Sequence, residues 1–144
     1  MTAIRLAIVG LGKIARDQHV SAISGTEGIA LAAVASRNGS IDGIAHFATL
    51  DDMLAAKHPV DAVALCTPPQ ARQALAIAAL KAGKHVLLEK PPGASVSELT
   101  PLIATARQAG RALFAAWHSR FAPAVEPARA FLAERTIKSV VVEW

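Results

Sequence analysis

The sequence predicts an α/β fold in which helices cover both faces of a doubly wound parallel sheet. Short apolar runs alternate with longer helical patterns along most of the 144 residues, as expected when crossover helices join parallel strands. The first run, residues 4–9, is apolar on both faces and leads directly into a glycine turn. Such a run is typical of a central parallel strand.

The turn after this strand has the spacing of a dinucleotide-binding motif. Gly10, Gly12 and Ala15 match Gly-x-Gly-x-x-Ala, in which the first glycine makes the turn and the second admits a pyrophosphate. The helix expected from Lys13 to about Ser24 directs unpaired N–H groups toward that turn, which predicts a phosphate site. The alternative is an ordinary glycine turn, but the strands and helices that follow favour a Rossmann-like sheet.

Five more strands are expected, at residues 29–35, 44–48, 61–66, 84–88 and 111–116, with helices at 50–56, 70–82, 95–109 and 124–133. Thr49 is the expected N-cap of the second helix. Ser95 and Glu98 form a candidate capping box for the fourth helix. Pro101 would then lie inside that helix, so we expect either a kink or a later start.

Residues 137–144 predict one more strand, and this strand follows a sheet that six strands already complete by about residue 118. A strand with no partner exposes a hydrogen-bonding edge. We therefore expect residues 1–120 to form an NAD(P)-binding Rossmann domain. Residues 121–144 are expected to be the helix and first strand of an incomplete C-terminal α+β sheet domain.

Composition argues against several other classes of protein. The longest run without Asp, Glu, Lys or Arg is ten residues, about half a membrane span. The net charge of +4 is scattered and only six aromatic residues are present, so nucleic-acid binding is not expected. The single cysteine, Cys66, and the absence of a leader pattern favour a cytoplasmic protein with no thiolate metal site.

The end of the second strand bears on the choice of cofactor. An NAD-selective site usually has an acidic residue there to accept from the ribose 2′-hydroxyl, but none occurs before Asp42. Ser36 and Arg37 stand in its place. A guanidinium can pair with a 2′-phosphate, so the sequence favours NADP over NAD. An arginine that contacts only solvent is the alternative.

Five stretches at the expected strand ends resemble one family. GLGKIA, SRN, CTPP, GKHVLLEKPPG and WHSR occur in this order, and together they resemble the N-terminal domain of the glucose-fructose oxidoreductase, inositol dehydrogenase and MocA family. The resemblance covers essentially the whole chain. It implies an oxidoreductase that passes hydride from a small sugar, at its anomeric carbon, to NAD or NADP. It is also compatible with a homo-oligomer, because members usually dimerise through the second domain.

By this resemblance Lys90 is the catalytic residue, and its peptide bond to Pro91 is expected to be cis. A surface lysine before a turn is the alternative. Thr67 and Pro68 are expected beside the nicotinamide and its ribose, with Glu89 near the ribose. The full set of expected cofactor contacts is Gly10, Leu11, Gly12, Lys13, Ile14, Ser36, Arg37, Cys66, Thr67, Pro68, Pro69, Glu89 and Lys90.

The resemblance also places Trp117, His118 and Arg120 on the substrate side, although His118 could be a loop histidine with no role in proton transfer. The chain departs from the family at Arg72, where a histidine is frequent. The other histidines lack metal-ligand spacing and are expected to be structural or exposed. A binding or sensing module that performs no chemistry is the alternative function, because the substrate domain is incomplete.

Overall fold

The computed structural model describes residues 2–143 and confirms the doubly wound α/β fold. Within these residues six parallel strands form one sheet in the order β3-β2-β1-β4-β5-β6. The chain fills one half of the sheet outward from β1 and then crosses to the other half, so the strand order reverses between β1 and β4. The strands are β1 (Ile4–Val9), β2 (Ile29–Ala35), β3 (Ala45–Phe47), β4 (Ala62–Leu65), β5 (His85–Leu88) and β6 (Leu113–Ala115).

The helices lie close to their expected positions, with one local surprise. The first helix contains a π-helical segment at Ala15–His19 before α1 (Val20–Ser24). A π-helical segment widens the helix and changes the direction of the side chains that follow. The remaining helices are α2 (Leu50–Ala55), α3 (Pro69–Lys81), α4 (Leu99–Ala109) and α5 (Val125–Ala133), with short 3-10 helices at Val96–Glu98 and His118–Phe121.

Alternation along the strands divides the core between the two faces of the sheet. Ala7 and Val9 of β1 belong to a large cluster that includes residues of α2, α3 and α4. Ile8, which points the other way, packs with Ala15 and Ile23 of the first helix. All three β1 residues are fully or almost fully buried, so apolar residues on both faces make β1 the central strand.

The two predicted helix caps have different outcomes. Thr49 caps α2, and with Asp52 it forms a complete capping box. The box predicted at Ser95 and Glu98 is wrong, because the Glu98 carboxylate accepts from the Ala94 N–H and the Ser95 hydroxyl contacts Ser97. The helix begins at Leu99. Pro101 therefore lies in the first turn, where its missing N–H costs no helical hydrogen bond.

The strand predicted at residues 137–144 is also wrong over residues 137–143, which have no regular secondary structure; Trp144 lies outside the described residues. The apolar pattern is present, but its side chains are exposed, with Val140, Val141 and Val142 at 74%, 81% and 80%. A strand requires a neighbour to accept and donate main-chain hydrogen bonds. Within residues 2–143 none pairs with this segment.

Candidate active site

A large cleft lies where the strand order reverses. It has a volume of about 920 Å³, and it opens at the carboxyl ends of β1, β2 and β4, where open α/β sheets bind their ligands. Eight predicted cofactor residues line it: Gly10, Leu11, Gly12, Ser36, Arg37, Cys66, Thr67 and Pro68.

The two glycines of the turn have different structural duties. Gly10 has a φ of +89°, and a Cβ there would lie 2.9 Å from Thr67 Cγ2 and 3.1 Å from the Thr67 main-chain nitrogen. Only glycine fits this close approach between the β1 and β4 loops. Gly12 faces open space, because a Cβ there would have no neighbour within 4 Å. The space at Gly12 is thus free for a ligand to approach the main chain.

Ser36 joins the β1 loop to the β2 loop. Its side chain is buried, and its Oγ accepts from the N–H groups of Leu11 at 3.2 Å and Asn38 at 3.1 Å. Its carbonyl accepts from Nε2 of His46 at 2.8 Å. These bonds fix the turn that carries Arg37 against the glycine turn. The exposed Arg37 therefore stands at the rim of the cleft.

The β4 loop contributes two side chains to the cleft, the Cys66 thiol and the Thr67 hydroxyl. Burial raises the pKa of the Cys66 thiol to about 12, with the Glu89 carboxylate adding to the shift, so this thiol is protonated and inert at neutral pH. The Thr67 hydroxyl is buried and has no hydrogen-bond partner among the described residues. A buried hydroxyl without a partner costs free energy unless a ligand completes it.

The turn after β5 is held from both faces of the sheet. Arg72 of α3 donates from Nε to the Thr67 carbonyl at 2.8 Å and from Nη1 to the carbonyls of Glu89 and Pro91. On the other face, His19 Nε2 donates to Glu89 Oε1 at 2.8 Å. The Lys90 amide donates to Glu89 Oε2 at 3.0 Å, and the Lys90–Pro91 peptide is cis, as the resemblance implied.

The other predicted site residues lie outside the residues that line the cleft. Lys13 is exposed and pairs with Asp17 along the first helix. Lys90 is exposed, as are His118 and Arg120 in the 3-10 helix after β6. Trp117 is 60% exposed. Ile14, Pro69 and Glu89 are likewise absent from the cleft lining.

The cleft suits a dinucleotide in shape and chemistry. The open main chain at Gly12 can accept a pyrophosphate, and the helix that begins there adds a favourable dipole. The Thr67 hydroxyl can bond a ligand at one end of the cleft, and the Arg37 guanidinium can bond an anion at the other. Each of the three loops thus offers a group suited to one part of the cofactor.

Residues 4–117 match the family model described as an oxidoreductase family with an NAD-binding Rossmann fold, GFO_IDH_MocA. The chain belongs to the Gfo/Idh/MocA oxidoreductase family. The family suggested by the strand-end stretches is thereby confirmed, and residues 4–117 match its NAD-binding Rossmann domain.

Named relatives of this family include sugar dehydrogenases. Galactose 1-dehydrogenase of Pseudomonas fluorescens is 44% identical over 144 residues, which are 100% of this chain and 46% of that protein. The D-galactose-1-dehydrogenase structure from Rhizobium etli is 55% identical with a TM-score of 0.90, covering 96% of this chain and 45% of that one. This chain therefore spans about half the length of these relatives.

A more distant family structure was solved with a dinucleotide bound. The WlbA dehydrogenase of Bordetella pertussis, in complex with NADH and UDP-GlcNAcA, is 26% identical with a TM-score of 0.83, covering 92% of this chain and 42% of that one. The family fold thus carries NADH in that relative.

Three residues near the site have roles that the sequence does not reveal. Arg72 stands out in the sequence only as a departure from the family pattern, and His19 is expected there to be structural or exposed. Arg16 lies against the β2 loop, since a Cβ on Gly39 would lie 2.5 Å from its Nη2. These roles depend on how separate loops meet, which spacing along the chain does not show.

Neither a metal centre nor a membrane span is found in residues 2–143. No group of three or more His, Cys, Asp or Glu side chains is arranged to hold a metal ion in that part of the chain. Among the helices described there, none combines the length and apolar character required to cross a membrane.

Proposed function

We propose that this chain is the cofactor half of an NAD(P)-dependent sugar dehydrogenase that oxidises D-galactose or a similar sugar at C1. The observation that carries the proposal is the 44% identity to galactose 1-dehydrogenase over all 144 residues. The cleft supports it, because the loops of three strands bring a phosphate turn, a basic rim and an unsatisfied hydroxyl together.

Within this proposal the cleft binds the cofactor along its length. The main chain at Leu11 and Gly12 contacts the pyrophosphate, and Thr67 with Pro68 contacts the nicotinamide ribose. Arg37 contacts the adenosine ribose and favours NADP, because its guanidinium suits a 2′-phosphate. The Arg16 guanidinium beside Gly39 adds a second positive charge near that rim.

Lys90 is the proposed catalytic residue. The bound nicotinamide supplies the hydride acceptor. The Lys90 ammonium donates a hydrogen bond to the reacting sugar oxygen and stabilises the negative charge that grows there as the hydroxyl proton passes to water. Glu89 orients the Lys90 main chain by accepting from its amide. Trp117, His118 and Arg120, which follow β6, are proposed to face the sugar.

A chimera tests the proposal. These 144 residues would replace the aligned part of the Pseudomonas fluorescens galactose 1-dehydrogenase, and galactose-dependent absorbance at 340 nm would report turnover. Lys90→Ala is expected to lower kcat by roughly 10²–10³, the effect of losing one group that stabilises transition-state charge. Cofactor affinity is expected to change little, because Lys90 acts on the sugar hydroxyl.

Lys81→Ala is the matched control, because Lys81 lies in the last turn of α3 and is exposed. It should retain the turnover of the parent chimera. Full turnover in the Lys90→Ala chimera would refute the catalytic role of Lys90. Robust turnover with other sugars but none with galactose would refute the proposed substrate.

A further inference from the structure

Arg72 forms the most extensive side-chain network near the cleft. It is the fourth residue of α3 and only 4% exposed. Its Nε donates to the Thr67 carbonyl at 2.8 Å, and its Nη1 donates to the carbonyls of Glu89 and Pro91. One buried side chain therefore joins the loop after β4 to the turn after β5.

The partners of Arg72 are unusual for a buried cation. Buried guanidinium groups normally pair with carboxylates, since removing the charge from water is costly. No ion pair of Arg72 with a carboxylate occurs among residues 2–143, and three main-chain carbonyls take that place. The planar guanidinium presents several donors in a fixed geometry, so it fixes the positions of all three carbonyls together.

Thr67 and Lys90 are the two residues proposed to act at the nicotinamide end. One of the three carbonyls belongs to Thr67, and the other two lie on either side of Lys90. Thr67 carries both the first carbonyl and the unsatisfied hydroxyl. The other two carbonyls belong to Glu89 and Pro91, the immediate neighbours of Lys90. The main chain on each side of Lys90 is thus held relative to Thr67 by the same side chain.

We propose that Arg72 is a positioning residue that sets the nicotinamide end of the site by fixing Thr67 and the Glu89–Pro91 turn relative to each other. The inference rests on the proposed function, because it assumes that a nicotinamide cofactor occupies the cleft. Arg72 also lines the cleft, but its guanidinium donates to the main-chain carbonyls of Thr67, Glu89 and Pro91. It therefore acts through the main chain of the residues proposed to contact the cofactor and the sugar.

A comparison of the affinities of two ligands distinguishes this positioning role from a general contribution of Arg72 to the stability of the fold. NADH reaches the nicotinamide end, whereas ADP has the same adenosine and pyrophosphate but neither the nicotinamide nor its ribose. Their affinities for the chain would be measured by titration calorimetry. The blue shift of NADH fluorescence on binding would report how firmly the nicotinamide is held.

Arg72→Met should lower the ratio of NADH to ADP affinity by about tenfold, which corresponds to a loss of about 1.4 kcal/mol. The ADP affinity itself should change by less than about twofold, since Gly12 and the β2 loop are untouched. Arg72→Lys should restore part of the ratio and part of the fluorescence shift. An ammonium keeps the charge but cannot hold three carbonyls in one plane.

Arg111→Met is the matched control. Arg111 also donates from Nε to a main-chain carbonyl, that of Gly83 at 2.7 Å. This contact lies before β5 and β6, at the opposite end of the strands from the cleft. Its loss should leave the affinity ratio and the fluorescence shift at their wild-type values.

The outcomes distinguish the inference from the function on which it rests. If the wild-type chain binds neither ligand, the proposed function fails and the role of Arg72 fails with it. If the wild type binds both and the folded Arg72 variants keep the wild-type ratio, only the role of Arg72 is refuted. If the Arg72 variants lose affinity equally for both ligands, the positioning role of Arg72 is also refuted. Should Arg72→Met fail to fold by circular dichroism, the ratio in Arg72→Lys decides.

Discussion

At the scale of single residues, the two glycines of the first turn separate a structural requirement from a ligand requirement. Gly10 adopts a backbone conformation that side chains rarely occupy, and it meets the Thr67 main chain closely. Gly12 has no positive φ, and a Cβ added to it would have no neighbour within 4 Å. The fold therefore requires glycine at position 10, whereas at position 12 glycine leaves space for a ligand.

Gly10→Ala is expected to lower the free energy of unfolding by about 1–3 kcal/mol, because it combines backbone strain with close contacts. Gly12→Ala should change it by less than about 0.5 kcal/mol, since its methyl group enters open space. Urea denaturation of the two variants measures the difference. Equal losses for both variants would contradict the assignment of separate duties.

Cys66 gives a prediction about pH. Because burial raises its folded-state pKa to about 12 from 9.0, the unfolded chain loses this proton first as pH rises. The contribution of Cys66 to stability should therefore fall between about pH 9 and 12, and Cys66→Ala should flatten that part of the profile.

Alkylation of Cys66 by iodoacetamide at pH 8 should be far slower than in the urea-unfolded chain, because only the thiolate reacts. The rate would be followed by mass spectrometry in both states. Equal alkylation rates in the folded and unfolded chain would show that the Cys66 thiol is not buried and that its pKa is not raised.

Arg37 tests the choice between NADP and NAD. Arg37→Asp should reduce the ratio of NADP to NAD affinity by about tenfold or more, since it removes a 2′-phosphate partner and supplies an acceptor for a 2′-hydroxyl. Fluorescence titration with NADPH and NADH measures the ratio. Arg107→Asp, at an exposed position of α4, is the control, and an unchanged ratio in Arg37→Asp would refute the NADP preference.

At the scale of elements, the two candidate caps show what sequence spacing can and cannot decide. Thr49 precedes α2 and caps it as expected, and Asp52 in the first turn completes a capping box. Ser95 and Glu98 have the same kind of spacing, but their side chains are used within the preceding loop. Pro101 decides the outcome, because the helix can accommodate it only in the first turn.

Thr49→Ala should destabilise the chain by about 1 kcal/mol, since it leaves an N–H of the first turn of α2 without its acceptor. Ser95→Ala should cost less than about 0.5 kcal/mol, as expected for an exposed position with no cap. Thermal or urea unfolding of the two variants gives the comparison. A larger loss of stability in Ser95→Ala than in Thr49→Ala would contradict the structure, in which Ser95 does not cap α4.

At the scale of the whole molecule, alternation and the glycine motif were sufficient to predict the six-stranded sheet. Apolar runs identify strands that are buried on both faces, and helical crossovers make those strands parallel. The same reasoning failed at residues 137–143, because an apolar alternation identifies a face but not the strand that pairs with it. It also failed to find the network of Arg72, which joins residues that are 5, 17 and 19 positions apart.

The exposed apolar side chains beyond β6 bear on the domain boundary. Phe121 and Phe131 are 77% and 60% exposed, and the other residues of α5 are exposed or half-buried. Residues 2–120 hold all of the buried core in the described chain. The boundary near residue 120 remains a prediction, as does the assignment of residues 121–144 to a second domain.

Titration calorimetry of the chain with NADP and NAD tests most directly the central claim, that the glycine turn holds the cofactor's pyrophosphate. Wild-type chain should bind one cofactor per molecule, and Gly12→Ala should weaken both cofactors by about tenfold or more without loss of fold. Gly25→Ala is the control, because Gly25 has a φ of −91° and lies outside the cleft lining. Failure of the wild type to bind either cofactor, or wild-type affinity in Gly12→Ala, would contradict the claim.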